Sequence, residues 1–149
     1  MSKADDAKTA ARQTTAILSD MRAPSLEDLA ALAEAAFAAL PPLVRDAAGH
    51  VVFRVDDYPS DEVLDDLNIE DPFELTGLYQ GVDRIHRSVF DPAPEASRVF
   101  LYRRPILDEW AERGDVTLGE LISHILVHEI GHHMGLSDDD IDAIEARDD

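Results

Sequence analysis

Cysteine is absent from this chain, so disulfides, thiolate metal ligands and cysteine nucleophiles are excluded. Long apolar runs are absent too, and a conventional transmembrane helix, which needs about 18 or more such residues, is therefore not expected. The N-terminal segment MSKADDAKTAARQ is polar and lacks the apolar core of a secretory signal peptide. These three absences together lead us to expect a cytoplasmic protein.

Positive charge is scarce. The chain has 13 Lys and Arg against 32 Asp and Glu, which gives a formal net charge of −19. Such a surface repels phosphate backbones and anionic lipids, so nucleic acids and membranes are poor candidate partners. The simplest interpretation of the charge is solubility, and a weaker one is a preference for basic substrates. The oligomeric state is left open.

The chain is long enough for one domain. It has 149 residues, of which 45% are hydrophobic, and this suffices to bury a core. Residues 1–24 are Ala-rich and charged, and we expect a flexible or frayed segment there. Residues 25–149 should form a single α+β domain with about three short strands. The predicted strands are 51–55, 86–90 and 98–104.

Helix signals occur before, between and after these strands. The predicted helices are 25–40, 60–67, 107–113, 117–134 and 137–146. The segment EDPFELTGLYQGV is interpreted as a loop because of its proline and glycines. The longest helix has the best boundaries, since Thr117 and Glu120 form a Thr-x-x-Glu capping box and Gly135 suits a left-handed C-cap.

The end of that helix carries the sequence HEIGHHMGLSD. His128 and His132 are four residues apart, so both side chains lie on one helix face and can hold one zinc ion. Glu129 is rotated by about 100° around the helix, which suits a general base that takes a proton from water activated by the metal. A surface turn rich in histidine, at a helix end where cations are favoured, is the alternative.

A catalytic zinc site needs a third protein ligand and an open position. Asp138 is the first acidic residue after Gly135, and a chain that reverses at this glycine can return its carboxylate to the metal. Other acidic residues compete for this role, although capping of the last helix is the favoured interpretation of most of them. They are Asp139, Asp140, Asp142 and, as a remote choice, Glu145.

Three segments in order, LTGLYQGV, VFLYRRPI and HEIGHHMGLSD, resemble the small bacterial zincin-like metallopeptidases, also called minimal zincins. The resemblance spans residues 73–144. It implies an α+β zincin-type fold with the metal helix packed against a small sheet, and it implies His128, His132 and Asp138 as ligands with Glu129 as base. Larger zincins carry a methionine-containing turn after the third ligand, whereas here 11 residues follow Asp138 and none is methionine.

Three further residues near the motif have two interpretations each. Tyr79 can line the substrate cleft and donate a hydrogen bond to a developing oxyanion, or it can be an ordinary loop aromatic that packs on the core. His124, one turn before His128, can support or shield the metal, or it can be a structural histidine. His133 is next to a ligand, and a solvent-facing position is its simpler interpretation.

Two functions follow from the motif. The first is a zinc-dependent peptidase that hydrolyses peptide bonds, with a peptide or protein substrate. The second is a metal-dependent peptide-binding module with little or no turnover. A structural zinc site is disfavoured because cysteine is absent and a glutamate adjoins the first ligand.

Overall fold

The computed structural model describes residues 2–81 and 96–147. The predicted strand 86–90 lies outside the described residues. Within the described part the chain forms a small α+β domain, as the sequence predicts. Its helices are α1 (Lys3–Asp20), α2 (Leu26–Ala38), α3 (Pro42–Ala48), α4 (Asp61–Asp66), α5 (Arg103–Arg113), α6 (Leu118–His133) and α7 (Asp138–Arg147), with a 3-10 turn at Pro72–Glu74.

A sheet of three strands supports the helices. The strands are β1 (Val51–Asp56), β2 (Gly77–Gln80) and β3 (Ser97–Tyr102), in the order β1-β3-β2. Strand β3 pairs in parallel with β1 and antiparallel with β2. Strand β2 therefore lies at one side of the sheet that the described residues form.

Helix α6 is the centre of the core, and it packs against α2 and β2. Its apolar face is buried at nearly every turn. The buried residues of this helix are Leu118, Leu121, Ile122, Ile125, Leu126, Val127, Ile130 and Gly131. Packing therefore fixes the helix as a rigid element, and whatever its last turn carries is held in place by the core.

The boundaries predicted for α6 are confirmed. Thr117 accepts a hydrogen bond from the Glu120 backbone N–H, and the Glu120 carboxylate accepts one from the Thr117 N–H, so the capping box is formed. Gly135 has φ of +83°, the left-handed conformation expected of a C-cap glycine. Helices α2, α4 and α7 also lie within two residues of their predicted bounds.

The predicted loop before residue 82 was wrong in part, because Gly77–Gln80 is strand β2. A glycine usually marks a turn, but here it permits close packing. A Cβ at Gly77 would lie 3.0 Å from the Ile125 side chain of α6. The missing side chain thus lets β2 approach α6 closely.

Two other boundaries differ from the prediction. Strand β3 ends at Tyr102 rather than at residue 104, and α5 begins at Arg103 rather than at 107. Pro105 lies in the first turn of α5, where a backbone N–H has no partner within the helix, so proline is tolerated. Helix α3 was not predicted, and it starts at Pro42 for the same reason.

Helix α1 has no buried residue, and Ile17, Leu18 and Met21 are more than half exposed. The division of the chain at residue 24 stays a prediction. None of the helices described here has the length and apolarity needed to cross a membrane.

Candidate metal centre

His128 and His132 project from the last turns of α6, and their ring centroids are 5.7 Å apart. The His128 side chain is mostly buried, with 23% of it exposed, whereas that of His132 is half exposed. The His128 ring is therefore held near the core, whereas the His132 ring lies at the surface.

A Schellman motif reverses the chain after these histidines. The Leu136 N–H donates to the carbonyl of Gly131, and the Gly135 N–H donates to that of His132, both at 3.0 Å. Helix α7 then begins with its own capping box, in which Ser137 and Asp140 exchange two hydrogen bonds of 3.1 Å. Asp140 thus has a structural role, as the sequence favoured.

The turn makes Asp138 the first residue of α7 and directs it back toward α6. The close contact of the two helices depends on Gly131, because a Cβ there would lie 2.9 Å from two side-chain atoms of Ile141. Ile141 is fully buried. A glycine within the H-E-x-x-H segment therefore determines how closely α7, with its carboxylates, packs on the metal helix.

The predicted ligand atoms converge. One atom each from His128, His132 and Asp138 lies within 4.8 Å of the others. Asp138 Oδ1 is 2.6 Å from His132 Nε2 and 3.9 Å from His128 Nδ1. A tetrahedral ion with bonds of about 2.0–2.1 Å separates its ligand atoms by about 3.3 Å, a value between these two. The exposed carboxylate of Asp138 can reach that geometry by a small rotation, so the donor set fits a metal ion.

Burial lowers the pKa of His128, and the neighbouring rings of His124 and His132 lower it further, although Glu145 and Asp138 oppose them. A lowered pKa favours the neutral imidazole, whose free nitrogen lone pair is the form that binds metal. His128 is thus ready to act as a ligand near neutral pH.

Glu129 lies on the side of α6 that faces strand β2. Burial raises its pKa, and the nearby His132 and a hydrogen bond from the Tyr79 backbone N–H partly offset this rise. A carboxylate whose pKa is raised is a stronger proton acceptor near neutral pH.

Tyr79 lies on β2, not in a loop. The Tyr102 N–H donates to the Thr76 carbonyl across the β2–β3 pair, so alternation along the strand turns the Tyr79 backbone groups away from β3. The Tyr79 ring packs against His133, with centroids 4.4 Å apart. His133 is exposed as expected, but it also covers Gly81, where any Cβ would overlap its ring.

The ranking of carboxylates by sequence gave Glu145 too little weight. Its Oε1 is 3.5 Å from His128 Nε2, and its Oε2 is 3.2 Å from His124 Nδ1. Glu145 follows Asp138 by seven residues, which is two helical turns. This spacing is the signal that places both carboxylates on the α7 face directed at α6.

A comparison with protein families supports the geometry. A family model described as zincin-like metallopeptidase matches residues 48–147, well over half of the chain. No curated protein matches at a significant level. The matched region contains the sheet, α6 and α7, and thus every residue of the site described above. This chain therefore belongs to the zincin-like metallopeptidase family.

Proposed function

We propose that the protein is a zinc-dependent peptidase in which His128, His132 and Asp138 hold the metal and Glu129 is the general base. The family implies a divalent metal and peptide substrates. The single observation that carries the proposal is the convergence of two imidazoles and one carboxylate within 4.8 Å. Two nitrogen ligands and one oxygen ligand, with room for a further ligand, are typical of catalytic zinc.

When bound, the metal supplies Lewis-acid chemistry that makes water a better nucleophile and polarises the scissile carbonyl. Glu129 accepts the proton of the attacking water and delivers it to the leaving amine. The Tyr79 N–H lies beside this carboxylate on the β2 side of the site. The raised pKa of Glu129 suits both transfers, because it makes the carboxylate a stronger base that can still release the proton to the leaving amine.

We place the substrate on the β2 side of α6, beside Glu129. The Tyr79 ring is half-buried and packs on His133, and we propose that it lines the cleft there. With few Lys and Arg and a net charge of −19, the surface attracts basic peptides more than acidic ones. A cytoplasmic location remains our proposal, supported by the lack of cysteine.

A metal-dependent peptide-binding module is the second candidate. The observation that favours it is the openness of the site, because the side chains of His132 and Asp138 are 51% and 75% exposed. An aspartate ligand also leaves the metal with a lower net charge than a third histidine does, and therefore makes it a weaker Lewis acid.

Glu129→Gln separates the two candidates. We expect this variant to keep zinc, measured by metal analysis after dialysis, and to lose cleavage of a peptide library. The matched control is Glu112→Gln, the same chemical change at an exposed position of α5, which should leave both properties unchanged. Peptide binding by the wild type without any cleavage, at full zinc occupancy, would instead favour the binding module.

A further inference from the structure

We propose that His124, His128 and Glu145 form a second divalent-cation site, on the opposite side of His128 from Asp138. The proposal shares His128 with the proposed peptidase centre but does not depend on activity there. One ligand atom from each of the three residues lies within 4.8 Å of the others.

The distances between these ligand atoms are closer to the distances around a bound metal ion than are those in the cluster of His128, His132 and Asp138. Glu145 Oε2 is 3.2 Å from His124 Nδ1, and Glu145 Oε1 is 3.5 Å from His128 Nε2. Both distances are near the roughly 3.3 Å between ligands of a tetrahedral zinc ion. The rings of His124 and His128 are adjacent, with centroids 4.1 Å apart, because the residues are one turn apart on α6.

Two buried atoms of this cluster, His128 Nε2 and Glu145 Oε1, have no hydrogen-bond partner among the residues that the structure describes. Leaving a buried polar atom without a partner is unfavourable, and it is more so when the group is charged. A cation between the two atoms satisfies both, since each offers a lone pair, and it also compensates the charge of Glu145.

A cavity of about 340 Å³ gives access to the cluster. His124 and Glu145 line it, together with Glu120 and Ser123. The cavity is large enough for the water ligands that complete a coordination shell. The carboxylate of Glu120 adds negative charge beside the entrance, which favours a cation.

The ligand types indicate which metal binds. Two imidazoles and one carboxylate suit Zn²⁺, Co²⁺ or Ni²⁺, whereas Mg²⁺ and Ca²⁺ prefer all-oxygen sites. A neutral imidazole has one free lone pair, so His128 can serve one ion at a time. When all three ligands bind an ion in the second site, His128 is no longer available to an ion held by His132 and Asp138. Each ion therefore lowers the affinity of the protein for the other.

Cobalt titration of metal-free protein, followed by calorimetry and visible absorption, tests the proposal. We expect two ions per chain for the wild type, with the second at least tenfold weaker because only one ion at a time can be bound by His128. His124→Ala should bind one ion, at the centre formed by His128, His132 and Asp138. The matched control is His133→Ala, a histidine of the same helix outside both clusters, which should still bind two ions. Circular dichroism checks that each variant is folded.

Asp138→Ala makes failure of the two proposals distinguishable. If this variant binds one ion whose affinity falls with a further His124→Ala change, the second site stands whatever happens to the first. A wild type that binds one ion, with the same affinity in His124→Ala, would overturn the second site. It would also be overturned if Glu145→Gln only weakened a single ion by about 10–100-fold, since Glu145 would then merely orient His128.

Discussion

Replacing Gly131 with alanine tests whether the contact between α6 and α7 builds the metal centre. The new Cβ would lie 2.9 Å from Cγ1 and Cδ1 of Ile141, which is fully buried. Overpacking of this kind costs about 1–3 kcal/mol, and the higher helix propensity of alanine returns about 1 kcal/mol. We therefore expect Gly131→Ala to be destabilised by up to about 2 kcal/mol.

Gly119→Ala is the matched control, because Gly119 is in the same helix and a Cβ there meets no atom of the described residues within 4 Å. It should gain a few tenths to about 1 kcal/mol. One kcal/mol shifts the Tm of a domain of this size by about 2–4 °C. With the protein kept metal-free by a chelator, the Tm of Gly119→Ala should therefore rise by about 1–4 °C, and that of Gly131→Ala should fall by as much as about 8 °C.

Zinc affinity shows whether Gly131→Ala only strains the contact between α6 and α7 or also changes the metal centre. Displacement of α7 moves Asp138 away from the histidines, so Gly131→Ala should bind zinc at least tenfold more weakly, while Gly119→Ala binds as the wild type does. Calorimetric titration of chelator-stripped protein measures both. Equal stabilisation of the two variants, with unchanged zinc affinity, would refute the inference that Gly131 sets the position of α7.

Further predictions concern the ligand, the caps and the N-terminus. Asp138→Ala should weaken zinc binding by about 100-fold or more, since loss of an outer partner alone costs 10–100-fold, while Asp139→Ala changes it little in the same titration. Asp140→Ala should lower stability by about 0.5–1.5 kcal/mol through the lost hydrogen bond of the capping box, with most of the zinc affinity retained. An affinity loss equal to that of Asp138→Ala would show the third ligand to be misassigned. Thr117→Ala should lower the Tm by about 2–4 °C, and an unchanged value in a thermal melt would contradict the capping box. A chain beginning at residue 23 should bind zinc normally because α1 has no buried residue, and loss of zinc on equilibrium dialysis would contradict this.

Helix α6 could be predicted from the sequence because interactions between residues close in sequence define both of its ends. The start of α6 depends on two side chains three residues apart, and its end depends on a glycine that adopts positive φ. Both devices act within one helical turn, so the sequence alone is enough to locate them. The i, i+4 spacing of His128 and His132 follows from helix geometry in the same way.

Strand β2 was not predictable by the same means. It is four residues long and begins with glycine, so neither alternation nor composition distinguishes it from a loop. Its pairing with β3 and its contact with Ile125 make it a strand. Those partners are distant in sequence, and the hydrogen bond from Tyr79 to Glu129 exists only because they meet.

The sequence is enough to predict helix α6, its two histidines, the glutamate beside them and the turn that leads to Asp138, since each depends on contacts within a few residues. What surrounds these residues depends on tertiary packing. The packing of Ile141 against Gly131 brings α7 onto α6, and with it Glu145 reaches His124 and His128. A side chain's direction follows from its own helix, whereas its neighbours depend on how two helices pack across a core.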